Sequence, residues 1–198
     1  IIFVEVITDM KNRYAFINSF SFSLIFKLFV LGIASFSLYL HIDIDDLPNT
    51  FRFFGYFTVL SNLFCFIILL LNIIKMIYNR ISFSEKYTAL KEYSHFFVLF
   101  KGMSLMSIIL TFFIFHYMVA NYKYPLLINN ILNLPIKDLF AHYLLPLFYV
   151  IDWLLFAPKG LQKLNAPFIW TLYPFVYLIF TFVRLYQVPE SSYFHLNE

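Results

Sequence analysis

Residues 54–77 read FGYFTVLSNLFCFIILLLNIIKMI, a run of twenty-four whose only formal charge is Lys75, close to its end. A helix crossing the roughly 30 Å hydrocarbon core of a bilayer needs about 20 apolar residues, so this stretch spans with a little to spare. It shows no strict two-residue alternation, which argues against a barrel strand, and in lipid a lone segment satisfies its backbone only as a helix. Working outward, four more runs of similar kind appear at Phe26–Ile42, Met103–Asn121, Leu139–Ala157 and Pro167–Val183. The expected fold is therefore all-α, a polytopic transmembrane bundle. Five spans are visible, and the complete protein has room for a sixth because the chain does not begin with Met. The corresponding expected division is 1–25, an N-terminal cytoplasmic or interfacial segment; 26–184, the helical bundle; and 185–198, a polar C-terminal tail for which truncation is an open expectation.

Composition supports lipid as the solvent. The chain has 198 residues, 62% hydrophobic and 13% charged, with mean hydropathy +0.78, too little polar surface to wrap a water-soluble core. The net charge of +3 is small and its cations lie between apolar runs, so there is no basic face for nucleic acid. The 28 Phe follow the same trend as the abundant Ile, Asn, Lys and Tyr, and read as compositional bias before they read as an aromatic site. A single cysteine, Cys65, excludes a disulfide framework and a thiolate metal centre. GxSxG, HExxH, Walker A and GxGxxG are absent, and His142 and Asp152, ten residues apart, are too sparse for a metal set; no cofactor is expected.

Basic residues are retained on the cytoplasmic side. Lys11, Arg13, Lys27, Lys75, Arg80, Lys86, Lys91, Lys101, Lys159 and Lys163 fall on one side of the spans. Only Arg52, Lys123, Lys137 and Arg184 fall on the other, which also holds Asp43, Asp45 and Asp46. The N-terminus is expected in the cytoplasm, in a bacterial cytoplasmic membrane. Ser19, Ser21 and Ser23 alternate with Phe like a strand, yet their place beside a span suggests an interfacial helix.

Polar side chains inside lipid are costly unless they face the bundle interior, and their spacing reveals that face. Thr58, Ser61, Asn62, Cys65 and Asn72 form one stripe of the second span. Ser104, Ser107 and Thr111 mark the third; His142, Pro146, Tyr149 and Trp153, with Asp152 beside them, the fourth; Pro174, Tyr177, Thr181 and Arg184 the fifth. Thr58 lies six residues beyond Arg52, about 9 Å down, and His142 four beyond Asp138, about 6 Å down from the same side. A hydroxyl and an imidazole at similar depth allow a nucleophile and its base. Spacing alone favours the plainer role for Thr58, bonded back to its own helix or to a neighbour, and leaves His142 evenly balanced between function and structure. Asp152 is expected to pair with Arg184, Lys159 or His142. His116, turned about 140° from the Thr111 stripe, is a weaker base, and His41 and His95 are expected near loops and solvated.

Four segments carry a resemblance: Phe57-Thr58-Val59-Leu60-Ser61-Asn62, His142-Tyr143-Leu144-Leu145-Pro146, Asp152-Trp153-Leu154-Leu155-Phe156-Ala157-Pro158-Lys159-Gly160 and Tyr173-Pro174-Phe175-Val176-Tyr177. Together, over about 26–184, they resemble the androgen-induced membrane protein family, and more closely its bacterial branch, the Pr6Pr membrane proteins. The resemblance implies a membrane hydrolase with a Thr nucleophile and a His, which in animal members cleaves fatty acid esters of hydroxy fatty acids. Matched by motif, Thr58 would be the nucleophile and His142 the base. The chain departs from the pattern after Arg184, where Leu185 stands in place of Gly. The leading expectation is a lipid-ester hydrolase among membrane lipids, with Asn62, Ser61 or Tyr149 as oxyanion donors and Asp152, Trp153, Tyr177 and Arg184 around the pocket. The alternative is a non-catalytic lipid or small-solute binder or carrier, and a purely structural membrane partner is a third.

Overall fold

The computed structural model describes residues 19–42, 55–82, 95–120, 134–157 and 165–187. Five helical rods make up the described fold. They are α1, Phe20–Tyr39; α2, Phe57–Ser82; α3, His95–Ile114 with a π-helical continuation Phe115–Ala120; α4, built from Ile136–Leu139, a π-helical segment Phe140–Leu144 and Leu145–Phe156; and α5, Ala166–Trp170 followed by Leu172–Gln187. All five are long and apolar enough to cross a bilayer, and no strand occurs among the described residues. The chain is a multi-pass helical membrane protein.

The expected number and order of spans hold, while boundaries move, the starts of α1 and α3 furthest. α1 begins at Phe20, six residues before the expected start, because the Ser19 hydroxyl accepts from the Phe22 N–H at 3.3 Å and caps the first turn. Ser21 and Ser23 therefore lie within the spanning helix and not in a separate interfacial one. α3 begins at His95, eight residues early, so Lys101 is intramembrane. The loop charges, the acidic turn at Asp43, Asp45 and Asp46, and Lys159 lie outside the described residues, as does the side chain of Arg184.

The polar stripes face inward as their spacing required. Ser61, Asn62, Cys65 and Asn72 on α2, Ser104, Ser107 and Thr111 on α3, and His142, Tyr149 and Asp152 on α4 are all buried, while Ile67, Leu71 and Ile74 on the outer flank of α2 are exposed to lipid. Adjacent rods run antiparallel. Asn62, early in α2, donates to the Ser37 hydroxyl, late in α1, at 2.9 Å, and the Tyr177 hydroxyl of α5 donates to the Gly55 carbonyl just ahead of α2 at 3.0 Å. The core joins Val30 and Ala34 of α1, Cys65 and Leu69 of α2, Ile108 of α3 and Leu145 and Tyr149 of α4. α5 meets α3 at a notch where Gly102 lies against the Trp170 indole so closely that no Cβ fits.

One end of the bundle holds a buried ion cluster. Lys27 of α1 and Lys101 of α3 each donate to a different oxygen of Asp152 at 2.6 Å, with side chains 0%, 2% and 0% exposed. Asp152 is thus paired, but not with the partners expected of it. Charge counting puts both lysines on the cytoplasmic side of the spans, because sequence does not reveal which lysine turns inward. The Lys27 ammonium also sits 4.4 Å from the Phe156 ring centroid, a cation–π contact that replaces part of its lost hydration. Next to the cluster, Ser104 spends its only proton on the Lys101 carbonyl at 2.9 Å, so Tyr149 is the donor in its 2.5 Å bond to the Ser104 oxygen.

Removing the Asp152 carboxylate takes from two buried ammonium groups the anion they share. Asp152→Asn is expected to cost about 3–5 kcal/mol in reversible unfolding from detergent micelles, whereas Lys27→Met, which leaves a one-to-one pair, costs less. Equal stability of Asp152→Asn and the unaltered chain would rule out the cluster as a structural anchor.

Candidate functional site

The opposite end of the bundle holds a cavity of about 500 Å³. α2 contributes Phe57 and Thr58; α3 contributes Leu110, Thr111, Ile114, Phe115 and Val119; α4 contributes His142; and α5 contributes Pro174, Phe175, Tyr177 and Leu178. The walls are aromatic and aliphatic, with few polar atoms, the composition of a site for an apolar ligand with one reactive group.

Two of those polar atoms are uncommitted. The hydroxyls of Thr111, Thr171 and Thr181 each donate to a carbonyl of their own helix, at 3.0, 2.7 and 3.0 Å, the usual fate of threonine in a membrane helix. Thr58 is the exception: as the second residue of α2 it has no helical carbonyl a turn behind it, and its hydroxyl makes no hydrogen bond among the described residues. The plainer role that spacing favoured for Thr58 is not the one observed. His142 is nine-tenths buried and its Nδ1 has no hydrogen-bond partner, although the Thr111 backbone approaches the ring. Its Nε2 lies 4.0 Å from Asp138 Oδ1.

Local sequence explains how His142 is presented. Pro146 has no N–H to offer the carbonyl four residues back, which is that of His142, and its ring crowds the same oxygen. The helix responds by widening over Phe140–Leu144, where the Leu145 N–H reaches the Phe140 carbonyl, five residues back. Such π-turns recur at functional sites because they redirect a side chain without ending the helix. Phe115, in the π-helical end of α3, stacks on the imidazole with centroids 3.7 Å apart and planes at 10°. The stack fixes the plane of the ring.

Of the residues expected at the site whose side chains are described, the cavity collects Thr58, His142 and Tyr177 and no others; the side chain of Arg184 lies outside the described residues. No hydrogen bond joins Thr58 to His142; they face a common space. Ser61 and Asn62 are fully buried a turn deeper on α2, Asn62 bonded to Ser37, while Ser61 Oγ and Asn62 Oδ1 lack partners. Tyr149 is bound to Ser104, and Asp152 belongs to the ion cluster ten residues, or about 15 Å, along α4 from His142. The oxyanion role expected of Ser61, Asn62 or Tyr149 therefore has no support in position. Trp153 packs edge-on to Trp170 near the cluster end. His116 meets the Tyr143 hydroxyl at 3.1 Å and does not line the cavity, in keeping with its off-stripe angle. His41 is not simply solvated: its Nδ1–H donates to the Ser37 carbonyl at 2.8 Å. The side chain of His95 is outside the described residues. Sequence reading missed Phe115 and Thr111 as cavity residues and Lys27 and Lys101 as Asp152's partners; only the inward stripe of α3 hinted at Thr111.

Fold and cavity together define a multi-pass helical membrane protein with a partly open, mostly apolar cavity carrying one imidazole and one hydroxyl, that of Thr58, left without a hydrogen bond among the described residues. No protein family, curated protein or solved structure matches the chain. No group of three or more His, Cys, Asp or Glu capable of holding a metal occurs among the described residues.

If Thr58 and His142 face one chamber, cysteines placed at both positions in a Cys65→Ser background will be bridged by a short bifunctional thiol reagent. Efficient single labelling of each without bridging would show that the two positions open onto separate spaces.

Proposed function

We propose that the protein is a membrane-embedded hydrolase of lipid carboxylic esters in which Thr58 is the nucleophile and His142 the base. A single observation carries the reading: an uncommitted hydroxyl and an unpartnered, buried imidazole nitrogen line the same apolar cavity. The resemblance of the FTVLSN, HYLLP, DWLLFAPKG and YPFVY segments to the androgen-induced family and its Pr6Pr branch points the same way.

The chemistry balances with these two groups and water. An acyl chain occupies the apolar space and brings its ester carbonyl to Thr58. His142 Nδ1 accepts the hydroxyl proton as Oγ1 attacks the carbonyl carbon, giving a tetrahedral oxyanion and an imidazolium. The C–O bond to the leaving alcohol then breaks, and the imidazolium returns the proton to that oxygen. Water attacks the acyl-threonine by the same route, releasing the acid and restoring the hydroxyl. Thr58 sits in the first turn of α2, whose amide N–H groups lack intrahelical acceptors, so the developing oxyanion faces the positive end of a helix dipole. Burial in a low-dielectric chamber strengthens that interaction.

With the N-terminus in the cytoplasm, the cavity lies in the outer leaflet of a bacterial cytoplasmic membrane. The competing reading is a non-catalytic lipid or solute carrier, and the two differ in reactivity at Thr58. A fluorophosphonate probe is expected to label the purified chain, Thr58→Ala to abolish labelling, and His142→Ala to slow it by about 10²-fold or more. Release of free acid from a branched fatty acid ester should fall in parallel. Full labelling of a folded Thr58→Ala variant would refute the nucleophile, and no labelling of the unaltered chain would favour the carrier.

A further inference from the structure

We propose that Asp138 is a positioning residue for His142, fixing the ring tautomer in which Nδ1 is bare. The inference rests on the hydrolase reading above, since it concerns how its base is held. Asp138 stands one turn before His142 in the first turn of α4, with its Oδ1 4.0 Å from Nε2 and side chains 14% and 10% exposed. An ionised carboxylate can only accept, so it favours the proton on the ring nitrogen that faces it. Nε2 lies 4.0 Å from Asp138 Oδ1, while Nδ1 is buried without a hydrogen-bond partner; the Thr111 backbone, the other acceptor beside the ring, competes with Asp138 for the proton. A neutral imidazole carries one proton, and placing it on Nε2 leaves the Nδ1 lone pair available. The Phe115 stack holds the plane of the ring, so what remains to be chosen is which nitrogen bears the proton.

The arrangement also serves the charged state. When His142 takes the Thr58 proton, an imidazolium forms beside an existing carboxylate, whose attraction is larger between two mostly buried groups than in solution. The 4.0 Å separation is an ion-pair distance and not a hydrogen bond; such contacts tighten as the ring becomes charged. Asp138 has a plainer role as well, because an acidic residue in a helix's first turn offsets the macrodipole. That role is indifferent to the tautomer, and the test exploits the difference.

Nitrogen-15 NMR of histidine-labelled full chain in micelles, at a pH where the ring is neutral, reads the tautomer directly; among the five histidines, loss of signals in His142→Gln assigns the ring. The expected spectrum has the proton on Nε2, retained in Asp138→Glu and shifted toward Nδ1 in Asp138→Ala. Fluorophosphonate labelling of Thr58 is expected to slow by about 10²-fold in Asp138→Ala and to recover in Asp138→Glu. A proton on Nδ1 in the unaltered chain, or an unchanged tautomer in Asp138→Ala, overturns the inference. A switched tautomer with no labelling of any variant supports the positioning of His142 and removes the hydrolase reading. Should Asp138→Ala not fold, the tautomer of the unaltered chain and of Asp138→Glu decides.

Discussion

Two ammonium groups and one carboxylate buried between three helices constrain this bundle more than any other interaction in it. Lys27, Lys101 and Asp152 come from α1, α3 and α4, and each is almost wholly removed from solvent. Moving an isolated ion into such surroundings costs several kcal/mol even after relaxation, so none of the three tolerates separation from the others. Apolar packing between lipid-solvated helices is weakly directional, since a leucine is as well solvated by acyl chains as by another leucine. The ion cluster supplies the direction: it sets the rotation of three rods about their axes, and so determines which faces of α3 and α4 look inward at the far end. There, Thr111, Phe115 and His142 meet because Lys101 and Asp152 already have.

The far end is organised by what the backbone lacks. Pro146 withholds one N–H from α4, the helix widens, and the residue whose carbonyl loses its ordinary partner is His142. Thr58 sits too early in α2 to bond back onto its own helix. Both uncommitted groups therefore arise from local rules of helix geometry at a proline and at an N-terminus, and the bundle brings the two irregularities to one chamber. Elsewhere in the interior Ser104, Ser107 and Thr111 are bonded to carbonyls of α3 and the Asn62 amide to Ser37, while Ser61 Oγ and Asn62 Oδ1, also without partners, lie outside the cavity lining.

Much of this was legible in the sequence. Hydropathy found five spans because bilayer thickness fixes their length, and the three-and-four spacing of Ser61, Asn62, Cys65 and Asn72 marked the face that turned out to be buried. Counting residues from each end put Thr58 and His142 at similar depth, and they line one cavity. What could not be read were the contacts between distant segments. Asp152 lies 125 and 51 residues from its lysines, and a lysine near a span's end looks the same whether it snorkels to water or turns inward. Span boundaries shifted for a related reason: the Ser19 cap and an intramembrane Lys101 both extend helices past the point where apolar composition stops. The deeper groups expected around an oxyanion do not line the chamber: Ser61 and Asn62 lie about a turn of helix, roughly 5 Å, beyond Thr58, and Tyr149 about two turns, roughly 10 Å, beyond His142.

The interruption of α5 at Thr171 follows from Pro174, which cannot donate to the Trp170 carbonyl. Its two pieces do different jobs. The short piece is seated by Trp170 against Gly102 and by the buried Ala166, next to the ions, while the long piece, mostly bathed in lipid, forms one wall of the chamber and is tied to the head of α2 by the Tyr177–Gly55 bond. The break at Thr171 thus divides the packing that seats α5 beside the ions from the packing that walls the chamber, so each half of the rod answers to its own neighbours.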